Sequence, residues 1–253
     1  MESARKAQIG AAFAAAAQRY DEGAHVQRLV ASRLAARAGG EQIAPDGDIL
    51  EIGCGTGLLT REIRKTWPDA RLTATDIAPE MVAATAGHDL DARLMVMDGE
   101  APNLGDERFD LILSSLTFQW FDDLPRALTR LHALLKPGGM LCFATMGAQS
   151  FANWRTAHEQ AGQSVGLRLY PTRNQLDAML KPFSHASVSE ECITLPERGG
   201  RALIRHFRAI GAHVPRSGYR PLAPVALRRV INLFDEAGGT SSYHILYGSI
   251  RHD

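Results

Sequence analysis

Residues 48–60 read DILEIGCGTGLLT, and this stretch decides the fold. Its first residues have the apolar pattern of a buried β-strand that ends at Glu51, and Gly53, Gly55 and Gly57 follow at two-residue spacing. Glycine tolerates positive φ and has no side chain, so a ligand can lie directly on the backbone of such a turn. The stretch therefore predicts a strand, a ligand-binding turn and a helix.

Strand and helix patterns alternate after this stretch. Strands are predicted at 71–75, 93–97, 109–115 and 140–145. Helices are predicted between them at 58–67, 79–86 and 122–135. The last of these helices ends at KPGG and carries one stripe of leucines, at Leu124, Leu128, Leu131 and Leu135. This alternation predicts an α/β fold, a parallel sheet with helices on both faces.

The remaining segments predict an N-terminal helix, a helical cap and two more strands, at 186–195 and 242–250. The helices fall at 24–37, 150–163, 172–180, 201–211 and 226–237. We predict a single domain, 1–253, with an N-terminal helical flap at 1–40, a cofactor-binding core at 46–146 and helical cap insertions at 147–185 and 199–237. Phe13 and Tyr20 either anchor the N-terminal helix by packing or form a flap over the cofactor site.

The composition is that of an ordinary globular protein, with 45% hydrophobic and 22% charged residues among 253. No apolar run approaches the roughly 18 residues of a membrane span, and no signal peptide pattern is present, so a cytoplasmic protein without a membrane partner is expected. The formal net charge of +0 argues against nucleic-acid binding. Cys54, Cys142 and Cys192 are expected to be buried, and no metal site is predicted because the nine histidines form no ligand motif.

Two more carboxylates, Asp76 and Asp98, follow predicted strands, and they narrow the choice of cofactor. Asp76 lies 25 residues beyond Glu51, near the spacing at which a second-strand carboxylate meets ribose hydroxyls. The fingerprint G-x-G-x-x-G is absent, and an acid before Gly53 would repel a pyrophosphate but attract an ammonium group. S-adenosylmethionine fits this pattern, with Glu51 near its amino acid end, Asp76 on its ribose and Asp98 on its adenine amine.

Five motifs in order, ILEIGCGTG, TDIAPEM, MDGEAP, FDLILSSLTFQW and LLKPGGML, resemble the class I S-adenosylmethionine-dependent methyltransferases over about 46–146. The resemblance implies a Rossmann-like, seven-stranded, mostly parallel sheet whose last strand is antiparallel. S-adenosylhomocysteine would be the product. The implied cofactor-binding residues are Tyr20, Gln27, Glu51, Gly53, Gly55, Gly57, Asp76, Ile77, Met81, Asp98, Gly99, Glu100 and Ser115.

The flanking segments resemble one family in particular, the malonyl-acyl-carrier-protein O-methyltransferases of biotin synthesis. The similar elements are Phe13, Tyr20-Asp21 and Gln27, then FQWFDDLPRAL at 118–128, RLYP at 168–171, FRAIGA at 207–212 and YHILYG at 243–248. The resemblance implies methyl transfer to the free carboxylate of malonyl on acyl carrier protein, which starts pimeloyl synthesis. Such a carboxylate has a pKa of about 4 and needs no general base. Positioning by Tyr20, Gln119 and Trp120 would suffice, although Trp120 equally fits a packing role.

Arginines are the candidates for the acceptor side. A planar guanidinium suits the malonyl carboxylate, and the candidates are Arg155, Arg168 and Arg173. Eight arginines and no acidic residue lie between positions 198 and 229, and Arg201, Arg205 and Arg208 share one helix face. That face either docks the acidic acyl carrier protein or is merely solvated. A monomer or weak dimer is expected.

Two other functions are compatible with the cofactor motifs. A small-molecule carboxyl methyltransferase of the trans-aconitate type shares an FQW-like element but would not need the arginine helix. A non-methylating, cofactor-binding assembly factor also resembles this family, but its N-terminal pattern departs from the element kept here at 20–27.

Overall fold

The computed structural model describes residues 2–40 and 43–253, which contain a seven-stranded sheet of order β3-β2-β1-β4-β5-β7-β6. The strands are β1 Asp48–Ile52, β2 Arg71–Asp76, β3 Ala92–Val96, β4 Phe109–Ser115, β5 Leu135–Met146, β6 His185–Thr194 and β7 Ser242–Arg251. Strands β1 to β5 pair in parallel, and β7 runs antiparallel to both β5 and β6. The predicted fold class is confirmed.

Helices cover both faces of this sheet. They are α1 Glu2–Ala16, α2 Tyr20–Gly23, α3 His25–Ala38, α4 Leu58–Thr66, α5 Pro79–Ala86, α6 Leu124–His132, α7 Ala152–Gln160, α8 Arg173–Leu180, α9 Gly200–Ala209 and α10 Pro224–Glu236. Strand β4 shows why two layers are needed, because Leu111 and Leu113 pack into one apolar cluster and Ile112 into the other. All three are fully buried, as expected of a central parallel strand.

Helix α6 ends earlier than predicted. It stops at His132, and Leu135 begins β5 by pairing with Phe109. The KPGG sequence therefore lies within β5, where the register shifts and the next pair is Leu111 with Met140. Leu135 is 2% exposed, so the sheet buries the side chain that the leucine stripe assigns to a helix.

The helices after β5 pack in two different places. Helix α7 packs on α10, and α10 packs on α9, whereas α8 lies on β6 and β7. Leu176 and Leu180 of α8 join the apolar cluster that covers this face of the sheet, so α8 is part of the core rather than a cover over the strand ends. The division of the chain into flap, core and cap stays a prediction.

Two further findings concern cysteines and membranes. Cys54 and Cys142 are buried as expected, but Cys192 is exposed because it lies on the outward-facing side of the edge strand β6. Among the described helices, none combines the length and apolarity that crossing a bilayer requires.

Candidate active site

The glycine loop leaves the carboxyl end of β1 in a conformation that glycine favours. Gly53, Gly55 and Gly57 have φ of 76°, 56° and 82°. The amides of Gly53 and Cys54 donate to the carbonyl oxygen of Thr75 on β2, at 2.7 and 2.8 Å. A Cβ on Gly53 would lie 2.0 Å from Oγ1 of Thr117. The loop therefore packs closely enough against its neighbours that a side chain at this position would clash.

Asp76 ends β2 beside this loop, and backbone amides hold its carboxylate. Its Oδ2 accepts from the amide of Gly55 at 2.9 Å, and its Oδ1 accepts from the amide of Ala78 at 2.9 Å. Burial raises the pKa of Asp76, and these hydrogen bonds oppose the shift. Two backbone amides fix the carboxylate while leaving it acceptor capacity for ligand hydroxyl groups.

A cavity of about 90 Å³ opens between the loop and α1, and we call it the glycine-loop cavity. Nine of the thirteen predicted cofactor residues line it, namely Tyr20, Gly53, Gly55, Asp76, Ile77, Met81, Asp98, Gly99 and Ser115. Its wall thus combines carboxylates at two strand ends with apolar side chains, the mixture that a nucleoside requires.

Glu51 lies outside this wall. It is 0% exposed, its Oε2 accepts from Oγ1 of Thr60 at 2.7 Å, and its Oε1 has no hydrogen-bond partner among the described residues. Burial raises the pKa of Glu51 to about 8. Gln27 is 7% exposed and contributes to a small cavity beside Gly53, and its Oε1 also lacks a hydrogen-bond partner in the part of the chain that the structure describes. Two unsatisfied acceptors next to the loop fit a cationic donor such as an ammonium group.

The other two predicted cofactor residues also lie elsewhere. A Cβ on Gly57 would approach Thr85 and His88, so this glycine faces α5. Glu100 forms a salt bridge with Lys6 at 2.7 Å and accepts from the amides of Asp122 and Asp123. These contacts connect the loop after β3 to α1 and to the start of α6.

Helix α1 forms the outer wall of the glycine-loop cavity through Lys6, Ile9 and Phe13. Lys6 Nζ lies 2.6 Å from Oδ2 of Asp98, so the carboxylate predicted to meet an adenine amine already contacts a lysine. Phe13 packs edge-on against Trp120, with ring centroids 5.3 Å apart. Phe13 therefore packs against Trp120 and also lines the cavity, while the role of the N-terminal segment as a flap over a cofactor stays a prediction.

Lys6 and Ile9 were not predicted as site residues. Their spacing with Phe13, at i, i+3 and i+7, places the three on one helix face and could have indicated them. The alanine-rich sequence around them gives no chemical signal of a ligand.

Trp120 lies in the wall of the glycine-loop cavity and in the walls of two others. The junction cavity is lined by Tyr20, Gln27, Gln119, Trp120, Tyr170 and Tyr243 among others. The outer cavity, of about 340 Å³, includes Trp120, Arg168, Tyr170 and Arg208 in its wall. Gln119 is held by donating to the carbonyl oxygen of Leu116 at 2.6 Å. Three cavities that share Trp120 in their walls therefore lie in series between the glycine loop and α9.

Arg168 is the predicted substrate arginine that the structure brings to this series. Its Nη2 donates to the carbonyl oxygen of Phe121 at 3.0 Å, and its Nη1 is buried and has no hydrogen-bond partner within residues 2–40 and 43–253. The guanidinium carbon lies 5.8 Å from the ring centroid of Trp120. Burial lowers the pKa of Arg168, and Asp122, 3.6 Å from Nη2, opposes this. A buried donor without a hydrogen-bond partner is costly, and Nη1 carries part of a positive charge, so this position suits an anionic ligand.

Arg155 and Arg173 have other partners and contribute to none of these three cavity walls. Arg155 donates to the carbonyl oxygens of Arg168 and Ser150, at 2.7 and 3.3 Å. Arg173 is half exposed and donates to the carbonyl oxygen of Val188 on β6. Arg155 therefore supports the segment that carries Arg168, and Arg173 belongs to the sheet edge.

Comparison with known proteins identifies the family. A model of a methyltransferase domain matches residues 50–143. The malonyl-[acyl-carrier protein] O-methyltransferase of Magnetococcus marinus is 37% identical over 253 residues, covering 98% of this chain and 93% of that protein. This chain belongs to the malonyl-acyl-carrier-protein O-methyltransferase family. The predicted family, enzyme class and S-adenosylmethionine cofactor are confirmed.

Two further comparisons of this malonyl-acyl-carrier-protein O-methyltransferase family member concern a second sequence relative and a solved structure. The biotin biosynthesis bifunctional protein BioCD of Bordetella avium is 41% identical over 244 residues, which are 96% of this chain, and the chain spans about half (52%) of that relative. The plantazolicin methyltransferase BpumL in complex with SAH superposes with a TM-score of 0.59 at 18% identity, covering 99% of this chain and 96% of that one. The latter likeness concerns the fold alone.

The arginine face of this malonyl-acyl-carrier-protein O-methyltransferase family member lies on α9. Arg201, Arg205 and Arg208 are exposed, while Leu203 and His206 on the same helix are buried. Within residues 2–40 and 43–253, none of the three arginines forms a salt bridge. Over the same residues, no cluster of three or more histidine, cysteine or acidic side chains has the arrangement of a metal site.

Proposed function

We propose that this chain transfers the methyl group of S-adenosylmethionine to the free carboxylate of a malonyl thioester on acyl carrier protein, starting pimeloyl synthesis for biotin. The observation that carries this proposal is Arg168, a buried guanidinium with an unpartnered Nη1 beside Trp120. It lines the outer cavity beside Trp120, whose ring also belongs to the wall of the glycine-loop cavity, so an anionic group carried on a long arm would meet Arg168 in the outer cavity.

On the donor side, the chain's residues bind and orient the cofactor, which supplies an electrophilic methyl group on a positively charged sulfur. Glu51 and Gln27 offer unsatisfied acceptors for its ammonium group. Asp76, fixed by two backbone amides, accepts from the ribose hydroxyls. Ile77 and the buried Met81 give the adenine an apolar surface, and Asp98 accepts from its amine while contacting Lys6.

On the acceptor side, Arg168 holds the carboxylate through Nη1, because its Nη2 already donates to Phe121. A hydrogen bond to one carboxylate oxygen leaves the other oxygen with more negative charge than a bidentate pair would leave it. That second oxygen can then attack the methyl group. No residue needs to remove a proton, since the acid has a pKa of about 4 and is ionised at neutral pH.

Tyr20, Gln119 and Trp120 position the two reactants and exclude water. Tyr20 and Trp120 each line both the glycine-loop cavity and the junction cavity, so they border the path between donor and acceptor. Alignment of reactants contributes on the order of 7 to 11 kcal/mol in favourable intramolecular reactions. Orientation in a closed site is therefore sufficient for this reaction.

Acyl carrier protein is acidic, and the exposed face of Arg201, Arg205 and Arg208 supports its docking. Arg208 belongs both to that face and to the wall of the outer cavity, so a carrier bound there would lie next to the path toward Arg168. A cytoplasmic location and a monomeric or weakly dimeric state stay predictions.

Mass spectrometry of malonyl acyl carrier protein incubated with enzyme and S-adenosylmethionine tests the proposal. We expect one added methyl group on the carrier-bound malonyl. Arg168→Gln should lower kcat/KM by about 30-fold, the effect of losing one charge-assisted hydrogen bond. Arg173→Gln is the matched control and should leave kcat/KM unchanged.

Two outcomes would contradict the proposal. Methylation of a free tricarboxylate but not of the carrier would favour the trans-aconitate type of enzyme. Cofactor binding without turnover on any carboxylate would favour a non-methylating assembly factor.

A further inference from the structure

Leu169 is the most exposed large apolar side chain among the described residues, at 88%. It belongs to neither apolar cluster of the core. A single exposed leucine is common on protein surfaces, so exposure alone carries no function. Leu169 differs from such residues because it lies on a fixed segment at the edge of a cavity.

The segment around Leu169 is held by the rest of the chain. The carbonyl oxygen of Arg168 accepts from Arg155 at 2.7 Å, and the side chain of Arg168 donates to Phe121. On the other side of Leu169, the carbonyl oxygen of Pro171 accepts from the amide of Ala148 at 2.9 Å. Leu169 is therefore presented to solvent on an ordered segment, which lowers the entropic cost of using it in an interface.

Both chain neighbours of Leu169 form part of the outer cavity. Arg168 and Tyr170 line it together with Arg208 of α9, so Leu169 stands at its rim. Arg208 continues into the exposed face with Arg201 and Arg205, which lack salt bridges within the described chain. The rim thus combines one apolar projection with unneutralised positive charge.

We propose that Leu169 is the apolar anchor of the acyl carrier protein docking site. This inference rests on the proposed function and adds a residue that contacts the partner protein rather than the reacting groups. Protein interfaces combine an apolar centre, which supplies affinity, with a charged rim, which steers approach. An acidic partner carrying an apolar surface residue matches both parts of this surface.

A second copy of the chain fits this surface poorly. In an isologous dimer both partners present the same patch, so each arginine face would approach another arginine face. An anionic lipid surface would match the charge and is therefore treated as an outcome of the test.

The test compares Leu169→Asn with Val96→Asn, a matched change at another exposed position, which is 56% exposed on β3. We expect Leu169→Asn to weaken binding of holo acyl carrier protein about tenfold in calorimetry, as truncating an interface anchor does. KM for malonyl acyl carrier protein should rise by the same factor. The kcat/KM for malonyl pantetheine, which lacks the carrier, should not change. Val96→Asn should alter none of these values. The conservative variant Leu169→Met should bind the carrier as tightly as the wild type does.

Three results would overturn the inference. They are unchanged carrier affinity in Leu169→Asn, an equal loss of kcat/KM on both thioesters, and a loss of sedimentation with phosphatidylglycerol vesicles in place of a loss of carrier binding. Carrier binding is measured without methyl transfer, so it reports on Leu169 even if malonyl proves not to be the acceptor. Failure of the proposed function would appear instead as carrier binding without methylation.

Discussion

The two ends of the parallel strands both carry carboxylates, but in opposite electrostatic states. At the amino ends, Asp48 is paired with Arg71 at 2.7 Å and with Lys136 at 2.6 Å. At the carboxyl ends, Glu51 and Asp76 have no lysine or arginine partner in the described part of the chain. Strand β1 carries one carboxylate of each kind within five residues.

The pKa values follow this difference. The hydrogen bond from Arg71, opposed by burial and assisted by Lys136, lowers the pKa of Asp48 to about 2. Burial raises the pKa of Glu51 to about 8. Asp48 is therefore neutralised within the fold and stabilises it, whereas Glu51 and Asp76 keep carboxylates without a cationic partner in the described residues, beside the glycine loop.

The sharpest test of this comparison replaces Asp76 with alanine in one variant and Asp48 with alanine in another. Asp76→Ala removes the acceptor of the Gly55 and Ala78 amides as well as the predicted ribose contact. We expect it to weaken S-adenosylmethionine binding about 100-fold in calorimetry. Asp48→Ala should leave that affinity unchanged and lower the free energy of unfolding by about 1 to 2 kcal/mol, after allowance for solvent screening.

The pH dependence of Asp48→Ala gives a second check on the same pair. The pKa of Asp48 is lowered in the folded state, so its stabilisation is present above its unfolded value and is lost as pH falls toward about 2. Wild-type protein should lose stability over this acid range more steeply than Asp48→Ala. Equal cofactor affinity in the Asp76 and Asp48 variants would refute the division between the two ends.

Glu51→Gln tests the ligand end by titration and should have a smaller effect. In the folded protein without cofactor, burial raises the pKa of Glu51 to about 8. Between pH 4.5 and about 8, the folded protein therefore keeps a proton that the unfolded chain has already released. Stability of the wild-type free protein should therefore fall as pH rises through that window, and Glu51→Gln should lack this fall. Denaturant unfolding at several pH values measures both.

Cofactor binding should change the favoured state of the Glu51 carboxyl from protonated to ionised. A bound ammonium group favours the ionised carboxylate, so binding releases a proton and affinity rises between pH 6 and 8 by up to about tenfold per pH unit. Calorimetry in buffers of different ionisation enthalpy counts the released proton. Glu51→Gln should bind about tenfold more weakly at pH 8 and show no such slope. A wild-type affinity independent of pH would count against this role for Glu51.

The contrast between predicted and unpredicted features has a physical basis. Helix α5 at 79–86 and strand β4 at 109–115 were predicted with their observed bounds, because a local signal marks them: Pro79 opens the helix, and a continuous apolar run forms the strand. The end of α6 was wrong because Leu135 continues the leucine period. Its pairing with Phe109, distant in sequence, makes it a strand residue instead.

The candidate site also contains some residues that the sequence predicts and others that it does not. Nine predicted cofactor residues lie in one wall, and they could be named because the family resemblance implied them and because the glycine loop and the strand ends have fixed places in this fold. The role of Lys6 could not be predicted, because it depends on how α1 crosses those strand ends. Arg155, Arg168 and Arg173 are chemically equal in the sequence. Only the structure separates the guanidinium with an unpartnered Nη1 from two that support the backbone.

The smallest predicted effect compares two lysines with nearly the same surroundings. Lys6 lies 2.6 Å from Asp98 and 2.7 Å from Glu100, and Lys136 lies 2.6 Å from Asp48 and 2.7 Å from Asp110. In both lysines the carboxylates outweigh burial and raise the pKa. Their interaction energies should therefore be similar, and only their location at opposite strand ends differs.

Lys6→Gln and Lys136→Gln should each lower the free energy of unfolding by about 1 kcal/mol, as partly exposed ion pairs do. Only Lys6→Gln should also speed cofactor dissociation, by about threefold in stopped-flow fluorescence, because Lys6 ties α1 over the glycine-loop cavity. High salt should reproduce this acceleration in the wild type and add little to Lys6→Gln. If both variants released the cofactor equally fast, the lysine on α1 would be a stabilising contact like its counterpart, and α1 would not limit cofactor release.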